Sequence, residues 1–509
     1  MHLGIDFGST RTVVAVVDRG NYPVVNFQTK NGDFQPWFPT LIAKKEERCF
    51  YGFDVQEMSL GDDVNFLRSP KRMLTDVGKN SLMFLEEQSI SALDLLTEFF
   101  KNLYQALYHK SSLEISKGET LEAFVSVPVN YNSHQRFITM EAFQRAGFKV
   151  TGLLNEPTAA GIEYTYRYGL KKGFKAKDYL VIYDLGSEMF DASVIAIKNR
   201  QHEVVANEVI SYFGGDDFDQ ILLSMALEKS GEDLQLSDFE SYLMRKESRF
   251  IKESLHPNTR KIRFDLRKLN KELEHVEITV KEFYEHCIPL VDMTMKAMEM
   301  AIEDLPEGKS WQDVSSIYVV GGSSPLPIVS RYLRTHYRNM IKKSPYPFAS
   351  TAIGLAIGCD PEQAFKFKEI KTNYFGVWRE AESGRKIIFD PVFSKGITVP
   401  DKIMKPLISL RRYHPVHNIA HFRYLEGSSL GVDGQPSGDM TPWDEIFFPI
   451  DPGLRSLDNL RGVEIKRLAE AGEREIEERY TYDSKGVIEV TLADLKDGYE
   501  RTYELRRSA

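Results

Sequence analysis

Two short segments carry the same order of carboxylate, glycine and hydroxyl between apolar runs. Leu3-Gly4-Ile5-Asp6-Phe7-Gly8-Ser9-Thr10 passes through Arg11 into the run Thr12–Val17. Leu180-Val181-Ile182-Tyr183-Asp184-Leu185-Gly186-Ser187 passes through Asp191 into Ser193–Ile197. Glycine lets backbone amides approach phosphate oxygens closely. An aspartate beside such a turn can hold a hydrated magnesium ion, whose charge offsets that of the phosphates. One Asp-x-Gly-Ser is usually an ordinary turn. Two copies, each between strands that look buried, read as a clamp made of two facing hairpins.

Five further segments could supply chemistry, and each has a plain structural reading beside it. Pro70-Lys71-Arg72-Met73-Leu74 offers a cation, although a lysine is usually a solvated surface group. Val125-Ser126-Val127-Pro128 ends a strand at proline, and Gln135-Arg136 follows on a helix. Asn155-Glu156-Pro157-Thr158-Ala159-Ala160 puts a carboxylate at a helix start, where it can also act as a capping acid. Phe213-Gly214-Gly215-Asp216-Asp217-Phe218-Asp219 turns into a helix whose first amides are expected to face an anion. Ile317-Tyr318-Val319-Val320-Gly321-Gly322-Ser323-Ser324 is a strand and a second glycine turn.

The elements that would position these groups are legible as periodic runs. Strands are expected at Leu3–Phe7, Thr12–Val17, Ala123–Val127, Leu180–Asp184, Ser193–Ile197 and Ser316–Val320. Helices are expected at Ala92–Tyr108, Ser133–Ala146, Pro157–Arg167, Asp217–Lys229, Ser237–Glu253 and Lys281–Glu303. In the second of these Phe137, Met140 and Phe143 share a face, which is a core stripe, and Gly147 supplies a stop. The mixture is that of an α/β domain over residues 1–360. Residues 361–373 read as a linker, with Ala364–Lys371 a solvated edge strand or connector. Residues 374–509 read as a separate β domain, with hairpins around Asp483–Gly486 and Asp497-Gly498. Tyr499, Arg501, Tyr503 and Leu505 then fall on one face. The charge run Glu470–Arg479 is expected to be a solvated face.

At 509 residues the chain is too long for one core, and its formal net charge of -9 disfavours nucleic acid and anionic membrane as partners. Its 3 cysteines are widely spaced and suggest no disulfide framework. With no secretory leader and no run long enough to cross a bilayer, the expectation is a cytoplasmic protein.

Taken in order, these segments resemble the ATPase domain of the 70-kDa heat-shock chaperones, the DnaK type, within the actin and sugar-kinase superfamily. The pieces that carry the resemblance are Gly4–Thr10, Pro70–Leu74, Val127-Pro128, Gln135-Arg136, Asn155–Ala160, Asp184–Gly186 with Phe190-Asp191, Gly214–Asp219, and Val320–Gly322 with Ala352–Gly358. The last third looks like the family's β-sandwich peptide-binding domain, through Lys395–Pro400 and Tyr482–Val490. The resemblance implies an α/β fold: a two-lobed actin-like ATPase domain followed by a β-sandwich-like domain, here without a helical lid. It implies ATP or ADP with Mg²⁺ as cofactors, and an unfolded or specific polypeptide and co-chaperones as partners. Asp6 and Asp184 would hold the hydrated ion. Gly8, Ser9, Thr10, Arg11, Gly186 and Ser187 would wrap the phosphates. Lys71, Glu156, Asp191 and Thr10 would order the attacking water and the γ-phosphate. Gly214, Gly215, Asp216, Gly321, Gly322 and Ser323 would shape the nucleoside pocket, with Lys252 along the base. Pro128 and Arg136 would lie in the relay between nucleotide and second domain.

The chain departs from the family where the second loop should read Asp-Leu-Gly-Gly-Gly-Thr-Phe-Asp. Ser187, Glu188 and Met189 replace two glycines and a threonine. Bulk is added where backbone must approach phosphate, a carboxylate is brought towards a polyanion, and a hydroxyl is lost. A charge of like sign at ~5 Å costs roughly 3 kcal/mol at an effective dielectric of about 20. Slow hydrolysis with retained binding is therefore the expectation, against a tolerated variant with normal turnover. A non-hydrolysing scaffold for one dedicated partner, a small-molecule kinase and a filament former are the rival classes.

Overall fold

A computed structural model describes residues 1–46, 48–56, 58, 65–71, 74, 82–85, 88–169, 179–198, 200–231, 234–269, 274–368, 371, 373–382, 385–399, 405–457, 459–483 and 487–505. Arg72, Met73, Glu369, Ile370, Pro400 and the turn residues Ser484, Lys485 and Gly486, all named above, lie outside them. Contacts divide the chain into two compact units. The first comprises residues 1–72, 98–129 and 146–367; the second comprises 73–97, 130–145 and 368–509. The expected boundaries at 360 and 374 follow sequence character, whereas these follow packing.

The first unit holds two large sheets with one repeated strand order. In the first sheet β1 (His2–Phe7) pairs antiparallel with β2 (Arg11–Val16), and β2 with β3 (Phe38–Pro39). On its other side β1 runs parallel to β4 (Glu122–Val127), and β4 to β5 (Lys149–Asn155). In the second sheet β6 (Tyr179–Leu185) pairs antiparallel with β7 (Met189–Lys198), and β7 with β8 (Gln201–Ser211). β6 runs parallel to β9 (Val314–Val320), and β9 to β10 (Ile341–Lys343). The short strand β11 (Lys366–Lys368) closes the edge beyond β8.

Among the described residues the eight helices of nine residues or more are α1 (Ala92–His109), α2 (Ser133–Arg145), α3 (Glu156–Tyr164), α4 (Gly215–Ser230), α5 (Asp238–Glu253), α6 (Val280–Glu303), α7 (Pro327–Tyr337) and α8 (Ser350–Cys359). Alternation along β6 explains why both of its faces are covered. Val181, Tyr183 and Leu185 enter the core shared with α4 and α6, while Leu180 and Ile182 pack with Ala160 and Tyr164 of α3. Ala159 and Ile162, on the opposite face of α3, pack instead with Val13, Phe124 and the small-residue helix α8. A helix wedged in this way is buried on every side, and its one mid-helix acid, Glu163, is paired with Arg167 and Tyr318. Gly354 allows it: a Cβ there would collide with the Ala159 carbonyl.

Two expectations need correction here. The Pro157–Arg167 helix stops at Tyr164 and continues as a π turn, Thr165–Gly169, with Thr165 bonded to the Gly161 carbonyl at 3.0 Å. The Ala364–Lys371 stretch contains an edge strand, but it is not solvated: Phe365 is buried, Phe367 packs beside it, and Lys371 is buried against Glu426.

In the second unit two four-stranded antiparallel sheets feed one core. The first orders β13 (Lys386–Phe393), β12 (Tyr374–Ala381), β15 (Ile419–Leu430) and β16 (Pro436–Pro449). The second orders β14 (Leu407–Tyr413), β17 (Ile476–Tyr482), β18 (Ile488–Asp494) and β19 (Tyr499–Glu504), so both expected hairpins are present. Phe375, Tyr424, Trp443 and Phe448 of one sheet share a cluster with Tyr480, Ile488 and Leu492 of the other. The Glu470–Arg479 run is solvated only in part: Glu470, Glu473 and Arg479 are exposed. Glu477 and Glu478 are buried, held by Arg412 at 2.6 Å and by both terminal nitrogens of Arg379 at 2.7 and 2.9 Å. Alternation along β17 turns Glu478 inward among tyrosines, and only a fixed guanidinium makes that tolerable. In α2, Phe143 and Met140 are buried as expected, but Phe137 is half-buried and Ile138 is fully buried.

Candidate functional site

The two hairpins are geometrically alike. Gly8 N–H donates to the Arg11 carbonyl at 3.1 Å, and Gly186 N–H donates to the Met189 carbonyl at 3.0 Å. Each bond spans three residues and follows the aspartate by two. Asp6 faces Val13 across its hairpin, whereas Asp184 faces Asp191. Directly opposed like charges destabilise a sheet unless a counter-charge arrives.

The counter-charge is Lys71, which is 9% exposed and pairs with Glu156. Glu156 occupies the first position of α3, because β5 runs straight into that helix through Asn155 and Pro157 fixes its first turn. The helix wedged between the two sheets thus delivers one carboxylate to the place where both hairpins end. Asp6 accepts from Ser126 of β4 at 2.7 Å, and Asp191 from Ser193 at 2.6 Å.

These groups act on one another. Burial, then the charge of Glu156, pushes the Asp6 carboxyl up to about 6, with Lys71 and Ser126 opposing. Burial also pushes Asp191 up to about 7, against the Ser193 hydroxyl and with Glu156. Asp184 rises well above the usual carboxylate range through burial and the charges of Glu156, Asp191 and Asp6. Burial disfavours the Lys71 ammonium, yet Glu156, Asp6 and Asp184 together raise its pKa. Asp6 and Asp184, 178 positions apart, therefore lie within electrostatic reach of one another. Hard oxygen donors crowded into mutual repulsion suit a hydrated divalent cation. Among the described residues no group of three or more acidic, histidine or cysteine side chains is set to ligate a metal directly.

The second hairpin is anchored from behind. The carbonyls of Gly186, Ser187 and Glu188 accept from Gly215 N–H at 2.9 Å, Asp216 N–H at 2.8 Å and Phe213 N–H at 3.0 Å. In a trans peptide the N–H points opposite to the carbonyl, so the amides of Ser187 and Glu188 turn away from α4. This corrects the expectation that the first amides of α4 face an anion. Gly215 and Asp216 spend theirs on the loop, and Asp217 N–H bonds the Gly214 carbonyl. The Asp216 side chain is likewise engaged, by Arg249 at 2.6 Å.

Gly321 has φ +90°, and a Cβ there would collide with the Asp184 carboxylate. Only glycine lets the turn after β9 pass so close. Ser323 N–H bonds the Leu185 carbonyl at 3.0 Å, tying this turn to β6. Lys252 lies 2.7 Å from Asp219 and donates to the Gly215 carbonyl at 2.5 Å. Burial lowers the Lys252 pKa and raises that of Asp219; their mutual contact opposes both shifts, while Arg249 opposes the rise at Asp219 and adds to the fall at Lys252. Arg11, Lys252, Gly322 and Ser323 line a cavity of about 850 Å³ whose wall also includes Glu253, Tyr284 and Phe348. Thr10 lies in the first turn, where its carbonyl accepts from Thr40 N–H at 3.1 Å. Pro128 belongs to the first unit and Arg136, 8% exposed near the start of α2, to the second.

Sequence reasoning missed Ser126 as the partner of Asp6, and the Asp219–Lys252–Arg249 cluster. The i, i+3 spacing of Arg249 and Lys252 on α5 was a usable signal for the cluster.

The description of the family model that matches residues 102–372, more than half of the chain, is Hsp70 protein. The chain belongs to the Hsp70 family. A chaperone protein DnaK from Thermotoga neapolitana is 27% identical over 513 residues, covering 98% of this chain and 79% of that protein. A chaperone protein HscA homolog from Pseudomonas putida is 25% identical over 528 residues, covering 99% and 78%. This Hsp70 chain is thus similar to chaperones along nearly its whole length while differing at about three positions in four. No described helix is long and apolar enough to cross a membrane.

Proposed function

We propose that this Hsp70 relative binds ATP and ADP with magnesium between two actin-like lobes. A sandwich of the two C-terminal sheets clasps unfolded or partner polypeptide according to nucleotide state, and hydrolysis is slow. Residues 1–360 would form the nucleotide domain, 361–373 the connector and 374–509 the polypeptide domain. Support for nucleotide binding comes above all from one observation. Asp6, Lys71, Glu156, Asp184 and Asp191 interact electrostatically at the mouths of two hairpins of matching hydrogen-bond geometry.

Asp6 and Asp184 would hold the hydrated ion through its water, and the bound ion would neutralise phosphate charge. Amides of the two turns would hold the phosphates from opposite sides. The Lys71 ammonium would sit against the terminal phosphate, and Glu156 and Asp191 would orient water for in-line attack. Two family glycine positions are filled by Ser187 and Glu188, whose amides turn away from α4. The half-buried Glu188 then adds negative charge close to a polyanion, which supports slow turnover. The chaperone role is supported by the names of the DnaK and HscA relatives.

Calorimetric titration with ATP and magnesium, followed by phosphate release from the same sample, tests both parts. One-site binding with little phosphate released over minutes is expected. No binding at millimolar ATP would overturn the nucleotide reading, and rapid release would overturn slow hydrolysis.

A further inference from the structure

The cavity beside the hairpins carries more positive charge than a triphosphate clamp uses. Its described lining contributes five cations, Arg11, Lys252, Arg331, Arg334 and Lys343, and one carboxylate, Glu253. Two of the cations are already matched. Arg11 is held by both oxygens of Glu253 at 2.7 Å, and Lys252 by Asp219. Arg331, Arg334 and Lys343 have no hydrogen-bonding or ion-paired side-chain partner among the described residues.

Their convergence follows from the fold. Pro327, Ser330, Arg331 and Arg334 recur at helical spacing along α7, so one face of that helix forms the wall. Lys343 arrives from β10, the strand that follows α7. Burial and the neighbouring Arg334 lower its pKa, as expected for a cation set against another cation. The Tyr284 hydroxyl, on the same wall, is shielded from solvent and has no partner within the described chain. A cavity of about 850 Å³ lies in the upper part of the range for small-ligand pockets, roughly 300–1,000 Å³. Leu255, Pro325 and Phe348 supply its apolar surface.

We infer that this cavity selects a nucleotide carrying a further phosphate on its ribose, remote from the 5′ phosphates, and that Arg331, Arg334 and Lys343 receive that group. The inference rests on the nucleotide reading above and names the ligand class of the same site.

The test compares adenosine 3′,5′-bisphosphate and adenosine 2′,5′-bisphosphate with AMP by calorimetry on the full chain, alongside ATP with magnesium. One of the bisphosphates is expected to bind at least about tenfold more tightly than AMP, the gain of one or two charge-assisted contacts. The paired substitution Arg331→Ala with Arg334→Ala, and separately Lys343→Ala, is expected to abolish that preference while lowering ATP affinity by no more than several-fold, the scale of a charge change on the cavity wall. Equal binding of AMP and both bisphosphates, or a preference that survives both variants, overturns the inference while ATP binding stands. No binding of ATP overturns the nucleotide reading and this inference together.

Discussion

Arg11 and Glu253 form a two-pronged ion pair at 2.7 Å, with the Arg11 guanidinium 4.2 Å above the Trp37 ring. The pair joins β2 to the last residue of α5 across 242 positions and lies on the cavity wall. Glu253→Gln removes a carboxylate from the approach of a polyanion and is expected to raise ATP affinity several-fold. Arg11→Ala leaves that carboxylate uncompensated and is expected to lower it. Both groups touch solvent, so each change is expected to alter unfolding free energy by less than about 1 kcal/mol. Calorimetry and urea denaturation read the two effects. Shifts of the same sign in affinity would contradict the assignment.

Lys71 is surrounded by acids, and removing it leaves their charge buried. Lys71→Met is expected to destabilise the ligand-free protein by about 3–5 kcal/mol, the usual cost of breaking a buried pair. Adding Glu156→Gln is expected to restore part of that loss without restoring phosphate release. Denaturant melts of the two variants check the first outcome and a single-turnover assay the second.

Acidity offers an independent handle. Asp6 and Asp191 have folded values of about 6 and about 7, above the ordinary carboxylate value of 3.8. The folded chain therefore binds protons more tightly than the unfolded chain. The stability this contributes is complete below the unfolded value of 3.8 and is lost progressively as pH rises from there through about 6 and about 7. The melting temperature of the ligand-free protein is expected to fall across that window, and Asp191→Asn to flatten the fall. Binding of magnesium and ATP is expected to release protons there, measured as a dependence of binding heat on buffer ionisation.

Restoring the second loop by Ser187→Gly, Glu188→Gly and Met189→Thr together is expected to speed phosphate release by about tenfold or more, if a charge penalty of roughly 3 kcal/mol is lifted. The anchoring bonds behind the loop use backbone only, so the triple variant keeps them. Equal rates before and after would place the slow step elsewhere.

The positions legible in the sequence were those where a local pattern and a backbone requirement coincide. Asp6-Phe7-Gly8-Ser9 and Asp184-Leu185-Gly186-Ser187 are each strand, turn and strand, and both turns form with the same bond. Long-range pairings were not legible. Nothing local marks Glu478 as buried, since its partner Arg379 lies 99 residues away. Lys371 looked like part of a solvated connector because Glu426, which buries it, comes 55 positions later. The amides of Gly215 and Asp216 at the start of α4 looked free because the carbonyls that take them, of Gly186 and Ser187, belong to the turn between β6 and β7 nearly thirty positions earlier. Each of these three misses is a tertiary contact overriding a local expectation.

Magnesium-dependent binding of ADP to Asp6→Asn and Asp184→Asn, measured by calorimetry against the unmodified chain, addresses the two-hairpin clamp itself. If two hairpins grip one nucleotide and its ion, each substitution alone weakens magnesium-dependent binding by at least about tenfold and leaves magnesium-free binding far less changed. A variant at either position that binds with the affinity and magnesium dependence of the unmodified chain would contradict a clamp made from both.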